Sequence, residues 1–421
     1  MKCTYLIGFF AALIAVSSCS PKTTTGVLRS PGQKTGRVDG TRDQAEAVRE
    51  DKSRDLEEPV SEKAKLYAGG TIALILPFQL DRVASSAVSE EDVKRSALAL
   101  DFYQGFQMGL QQIAKSNKRV ELQVLDSRDN AGHNANLARS QEVKDAMLIV
   151  GPIYPAEIKS FSAAMMNSNN RVLQVNPLAA TMPTEFNLPN LVSVTPPISI
   201  HMRAVSAELA KNYKNGDVVV IYNSANSDHQ QFIQGFPDDI KERLPYAEVL
   251  SVSSPSELNE RLTSGVVYHI ISGTTDRNQL KAMLNVMDER SLSDNMEFRL
   301  YGHPLWSRVD FSSYSNFTFY RPVITSESHL NPLSNATRSF QSAYKNAYGI
   351  EPSDHAYKGF DSGTYFGNLL QKYGNDYAEY INKETFDGLY SSYKFNRNDR
   401  WGYVNFGVSL MEYRFGKFQA R

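Results

Sequence analysis

Residues 147–155, MLIVGPIYP, constrain the fold of this chain more than any other stretch. Four apolar residues without a polar interruption, Met147 to Val150, read as a strand buried on both faces, which a parallel sheet covered by helices requires. Gly151 and Pro152 end it. A glycine lets the backbone pass close to a neighbour, a proline fixes the loop, and a helical pattern starts near Ala156. In open α/β sheets ligands sit just beyond the carboxyl ends of the strands, so this loop is either the floor of a binding cleft or a strand-to-helix turn that touches nothing.

The unit recurs along the chain. Residues 71–78 (TIALILPF) are another apolar strand ending in a proline loop, and Leu98, Phe102, Phe106 and Leu110 then return every four residues as the stripe of an amphipathic helix, continued by Ile113. Gly105 and Gly109 lie beside the stripe at a helix-propensity cost near ~1 kcal/mol each, which suggests close packing against a sheet. Strand 120–125, polar loop 126–134 and helix 135–144 lead to the central strand. Helix 156–167, strand 171–175, the loop Asn176 to Thr181 and strand 191–195 follow. Strands alternating with helices imply right-handed βαβ units and a parallel sheet. Pro196-Pro197 punctuates the chain, and the pattern repeats: helix 199–213, strand 217–222, helix 230–244, strand 247–252, helix 256–262, strand 266–271 and helix 277–288. Strand ends fall at Tyr222-Asn223 and at residues 272–275. Residues 298–324 read as two aromatic strands with a loop holding His303, Pro304 and Trp306. Two helices, 340–348 and 357–373, precede a tail in which 391–395 and 403–415 alternate like antiparallel edge strands joined by the turn 396–400. The fold class is α/β, with two doubly wound parallel-sheet lobes.

At 421 residues the chain exceeds one ordinary core and suits two domains plus extras. A formal net charge of -1 argues against nucleic acid, whose backbone calls for a basic excess. Met1 and Lys2 precede an apolar run over 5–16 and then Ser17-Ser18-Cys19, the plan of a secretory signal too short to span a membrane comfortably. Residues 16–19 resemble a bacterial lipobox, with Val16 where leucine is usual; an ordinary signal peptide is the other reading. Cys3 would leave with the signal, making Cys19 the only thiol of the mature protein and the site of lipidation. Disulfides and cysteine-ligated metals are then excluded from the folded part, and acyl chains on Cys19 would hold the protein on a membrane. Residues 19–68 are too polar to offset their ordering entropy and read as a disordered tether with a span of about 40 Å.

Catalytic signals are sparse. The seven histidines show no metal spacing of the His-Glu-x-x-His kind, and there is no Gly-x-Ser-x-Gly elbow or complete phosphate loop, so we expect no metal, no cofactor and no enzyme. Tyr154, Tyr222, Tyr301 and Trp306 either stack against a ligand or pack a core. Asp126 and Asp361 would receive a ligand ammonium, or serve as caps and lobe-internal hydrogen-bond acceptors.

The order TIALILPF, a helix containing Tyr103-Gln104-Gly105-Phe106, VELQVLDSRDN, LIVGPIYPAE and VLQVNPLAAT resembles the first lobe of type I periplasmic binding proteins, which include branched-chain amino acid receptors. FQSAYKNAYGIEPSDHAYKGFDSGTYF, with Gly359, Phe360 and Asp361, resembles that family's returning helix pair, and LYSSYKFNRNDRWGYVN its closing turn. The resemblance extends from about Gly70 to the C-terminus and is nearest to Bacteroidetes lipoproteins of the amino acid transporter substrate-binding type. GPIYP and the Asn-Pro pair are also similar to the outer-membrane lipoprotein activators of penicillin-binding proteins. It implies two lobes joined by three crossovers that close on a ligand by hinge motion. We expect lobe 1 over 69–197 and 330–375 and lobe 2 over 198–329 and 376–421. The implied site is Phe78, Gly151, Ile153, Tyr154, Asn176, Ala180, Thr181, Tyr222, Asn223, Thr274, His303 and Trp306, for an amino acid-like or peptidoglycan-derived ligand. Amino acid receptors of the family place a small hydroxyl residue after the Gly-Pro; here Ile153, Tyr154 and Pro155 stand there, and Pro155 has no N–H. The implied partners are a small molecule, a membrane through the lipid, and a transporter or a peptidoglycan synthase. The implied location is the periplasmic side of the envelope, with Ser20 after Cys19 compatible with the outer membrane. The alternative function is an envelope scaffold or regulator of peptidoglycan synthesis that uses the same fold for protein contact.

Overall fold

Two sheets of seven strands each organise the chain. The computed structural model describes residues 69–421 apart from 84–86, 115–118, 168–171, 225–226 and 315; the signal peptide, Cys19 and the tether lie outside the described residues. In the first sheet, β1 (Gly69–Leu76), β2 (Arg119–Asp126), β3 (Leu148–Val150), β4 (Gln174–Asn176) and β5 (Leu191–Ser193) run parallel in the order β2-β1-β3-β4-β5. In the second, β6 (Val218–Tyr222), β7 (Glu248–Val252), β8 (Val267–Ser272), β9 (Glu297–Gly302) and β10 (Val323–Ser326) are parallel in the order β7-β6-β8-β9-β10. The apolar runs serve both faces of each sheet, as their composition requires. Ile72, Leu74 and Leu76 enter one core while Ala73 and Ile75 enter another with Ile149 and Phe161. Val218, Val220 and Tyr222 likewise part from Val219 and Ile221. Each fully buried side chain of this kind contributes roughly 1.5–3 kcal/mol.

Helices α1 (Glu90–Ala114), α2 (Ala131–Leu137), α3 (Gln141–Asp145), α4 (Pro155–Asn167) and α5 (Pro183–Phe186) connect the first sheet. The helix expected over 135–144 is two, because the Ser140 hydroxyl accepts the Val143 N–H and starts α3 anew. Helices α6 (Ile198–Asn212), α7 (Ser227–Ile233), α8 (Phe236–Arg243), α9 (Pro255–Arg261) and α10 (Arg277–Ser293) serve the second sheet. The helix expected over 230–244 is broken at Gly235, which caps α8 with a proline in its first turn. The aromatic stretch 317–320 is expected to be strand; it is a 3-10 turn, with Phe317 packed against Trp306 and Phe311 and Tyr320 against Phe298 of β9.

Helices α11 (Asn335–Tyr348) and α12 (Asp354–Tyr373) return to the first lobe. The glycines of α1 allow a helix, not a sheet, to approach. A Cβ on Gly105 would lie 1.9 Å from the Ala356 carbonyl oxygen, and one on Gly359 would lie 2.1 Å from that of Phe102, so α1 and α12 touch backbone to backbone.

The tail corrects the expected boundary. Residues 376–421 do not all join lobe 2. A small hairpin, β11 (Phe386–Asp387) and β12 (Ser392–Tyr393), precedes β13 (Phe395–Asn398) and β14 (Gly402–Asn405), and β14 pairs parallel with β5 in the first sheet. Only β15 (Ser409–Arg414) and β16 (Lys417–Ala420) extend the second sheet, antiparallel to β10 and to each other. The stretch 403–415 is therefore two strands in two lobes, divided at 406–408. Asn405 fixes the division: its amide donates to the carbonyls of Val194 (2.9 Å) and Ser392 (3.0 Å), and its carbonyl accepts the N–H groups of Lys394 and Gly407 (2.9 Å each). The lobes are thus joined by three crossovers, at 194–197, 327–334 and 406–408.

Candidate functional site

In each lobe the loops that follow the parallel strands lie along one edge of the sheet, and the crossovers leave from β5, β10 and β14. The two edges carry the polar groups that the sequence distributes over distant loops.

On lobe 1, Asp126 at the end of β2 accepts the backbone N–H groups of Gln79 (2.9 Å), Leu80 (2.8 Å) and Arg128 (2.9 Å). Of its two roles left open, the loop-internal one is observed. Gly151 has φ +104°, a Cβ there would lie 2.0 Å from the Ile75 carbonyl oxygen, and its N–H donates to Val175 at 2.8 Å. Beyond it, Pro152 and Pro155 have no N–H and the Tyr154 N–H donates to Glu157 Oε2 (3.3 Å), so backbone donors are scarce where anion recognition would use them. The Asn176 side chain closes its own loop on Ala179, donating at 2.8 Å and accepting at 3.0 Å. Thr181 differs. Its side chain is 3% exposed, and Oγ1 is buried with no hydrogen-bond partner among the described residues.

Glu157, in the first turns of α4, is the buried carboxyl of this edge. It accepts from Asn134 Nδ2 (3.0 Å) and the Tyr154 N–H, and burial pushes it up to about 7 despite those donors. Burial, then the charges of Asp129 and Glu157, push the half-buried Tyr154 phenol up to about 12, so it stays neutral. Phe78 and Ala180 complete this edge, Phe78 buried edge-on to Tyr103.

On lobe 2, Asn223 accepts from Gln230 Nε2 (2.6 Å). The Thr274 hydroxyl donates to Gln279 Oε1 (3.0 Å), and its carbonyl accepts the Trp306 indole N–H at 2.7 Å. Ser224, 4% exposed, holds a buried Oγ with no partner among the described residues. Three histidines converge here from separate elements: His201 in the first turn of α6, His229 in α7 and His303 after β9. The rings of His229 and His303 are 5.9 Å apart, and that of Phe232 stands edge-on to His303 at 5.1 Å. Burial, then the neighbouring His229 and His201, hold His303 down at about 3, and burial holds His201 at about 4.

The expected site residues therefore divide. Tyr154, Ala180, Thr181, Asn223 and His303 lie at the two edges with some polar capacity or surface left, and Phe78 lies at the lobe-1 edge but is buried in its core. Gly151, Ile153, Asn176, Tyr222, Thr274 and Trp306 do not: each is buried, and its packing or hydrogen bonds are spent within its own lobe. Tyr301 also faces inward, against His269, which bonds Asp217 at 2.9 Å. Asp361 is internal too, accepting the N–H groups of Leu389, Tyr390 and Ser391 at 2.8 Å each while burial pushes it up to about 6. Glu157, Ser224, His201 and His229 were not singled out in the sequence, where they belong to no local pattern. Among the described residues no group of three His, Cys, Asp or Glu is placed to hold a metal ion.

Among solved structures, one from Rhodospirillum rubrum described as a branched-chain amino acid ABC transporter aligns with 84% of this chain and 100% of its own, at 13% identity and a TM-score of 0.61. The chain has the type I periplasmic binding protein fold. An ABC transporter substrate-binding protein from Desulfitobacterium hafniense shares this fold over 84% of this chain and 100% of its own, at 14% identity and a TM-score of 0.50. No protein-family model matches the sequence, and no curated protein matches it. Within the type I periplasmic binding protein fold, the edges that carry Thr181 and His303 are the ones that the crossovers join.

Proposed function

We propose that this protein is a non-catalytic solute-binding protein that captures a small polar ligand, amino acid-like or a peptidoglycan fragment, between its lobes. Thr181 carries the reading: a buried hydroxyl left without a partner costs about 1–3 kcal/mol, a cost that a ligand atom would offset on binding. Phe78, Tyr154, Ala180, Asn223 and His303 complete the proposed site. The fold shared with an ABC transporter substrate-binding protein supports delivery to a transporter. Lipidation at Cys19 and anchoring to the outer membrane, facing the periplasm, belong to the same proposal and rest on the N-terminal sequence.

The test is native mass spectrometry of the full chain purified without denaturation, followed by thermal shifts with amino acids and wall fragments. A stoichiometric small molecule, or a saturable shift of several degrees, is expected. Thr181→Val should leave the unliganded protein as stable or more so, and weaken the ligand about tenfold, or ~1.4 kcal/mol. An undiminished affinity in Thr181→Val would remove this residue from the site.

The scarcity of backbone donors between Pro152 and Pro155 favours a second reading, an envelope scaffold or regulator of peptidoglycan synthesis of Bacteroidetes lipoprotein type. A clean unliganded mass with no responsive compound, together with a protein or wall partner recovered by crosslinking, would establish it in place of the first.

A further inference from the structure

The lobe-2 edge has a directional chemistry that follows from one hydrogen bond. The Leu305 backbone N–H donates to His303 Nδ1 at 3.1 Å, so Nδ1 presents its lone pair and the neutral ring carries its proton on Nε2. His303 is 7% exposed, and no described residue hydrogen-bonds Nε2. The apolar side is closed by Phe232, and His229 cannot take that proton through its own Nε2, which accepts the Thr275 N–H at 3.1 Å. Burial among histidines also opposes a second proton on His303. The described carboxylates of these loops are engaged. Asp276 accepts the Asn278 and Gln279 N–H groups at the start of α10, and Glu327 pairs with Lys358 at 2.7 Å. The Ser224 hydroxyl, buried and unpartnered, adds a second donor to the same edge.

From this arrangement we infer that lobe 2 selects its ligand through an oxygen acceptor, a carboxylate or carbonyl held by the fixed Nε2–H of His303, and rejects an ammonium group at that position. The inference rests on the capture reading above and narrows its ligand to oxygen-rich, non-cationic compounds such as hydroxy acids, dicarboxylates and acidic sugars.

The test uses the full chain and size-matched probes: L-leucine against 2-hydroxy-4-methylpentanoate, L-alanine against lactate, L-glutamate against glutarate, N-acetylmuramic acid against glucosamine, and spermidine. Calorimetric titration should find the member lacking the ammonium tighter by tenfold or more in at least one pair, with spermidine silent. His303→Leu should abolish that preference, and His303→Gln, whose amide restores an N–H near Nε2, should recover part of it. Tighter binding of the ammonium-bearing members would overturn the inference and leave solute capture intact. Binding by none of the probes, with no co-purified ligand, would overturn both. A ligand-free readout guards against misfolded variants: long-range 1H–15N spectra of the unaltered protein should show His303 as a neutral Nε2–H tautomer from pH 5 to 8. A charged ring or an Nδ1–H tautomer in that range would overturn the inference whatever the titrations give.

Discussion

At the scale of single residues, the carboxyls of the two edges are spent on their own loops, as those of Asp126 and Asp276 are. Glu157, 1% exposed, is the instructive case. Its folded pKa, about 7, lies above the usual 4.5, so proton binding favours the folded state. Its contribution is complete below about pH 4.5 and is lost as pH rises through about 7. Converted at 1.36 kcal/mol per pKa unit, that loss is of the order of 3 kcal/mol. Glu157→Gln should therefore gain stability relative to the parent between pH 5 and 8, read as a pH-dependent difference in urea midpoints; a difference constant with pH would contradict the assignment. Asp361, also raised, acts in the same direction in both proteins and cancels from the comparison. Sequence patterns gave no access to this layer. His201, His229 and His303 belong to three elements, and only the folding of α6, α7 and β9 onto one edge makes them neighbours.

At the scale of elements, the apolar strands were legible because burial on both faces leaves an unbroken run that no surface strand shares, as in residues 72–76 and 218–222. The Gly-Pro stop after β3 was legible for the same reason. The tail was not, since residues 403–415 alternate evenly while their backbone changes sheets at Asn405 and Gly407, a decision made by four side-chain hydrogen bonds. The glycines of α1 announced a close approach but not its partner. That contact yields a firm expectation. Gly359→Ala gains about 1 kcal/mol of helix propensity, yet its methyl would stand 2.1 Å from the Phe102 carbonyl oxygen. Separating α1 from α12 should cost a net ~3 kcal/mol or more by chemical denaturation. A variant as stable as the parent would mean that the helices are not in backbone contact.

At the scale of the whole molecule, three crossovers join the two lobes. All three are tied by internal polar contacts. Asn405 links the first to the third through Val194, and Glu327, on the second, forms a buried pair with Lys358 of α12 while His329 donates its N–H to Tyr390. Breaking such a buried pair from one side costs about 3–5 kcal/mol, so the Glu327–Lys358 contact holds the second crossover to α12. The central claim is that the lobes close on a ligand. It is tested most directly by the distance between spin labels placed on Leu80→Cys and Asn278→Cys, exposed positions in the strand-end loops of lobe 1 and at the start of α10 in lobe 2, in a chain whose native cysteines are replaced. Saturation with the bound compound should shorten and narrow the distance distribution. A distribution unchanged at saturation would contradict capture between the lobes.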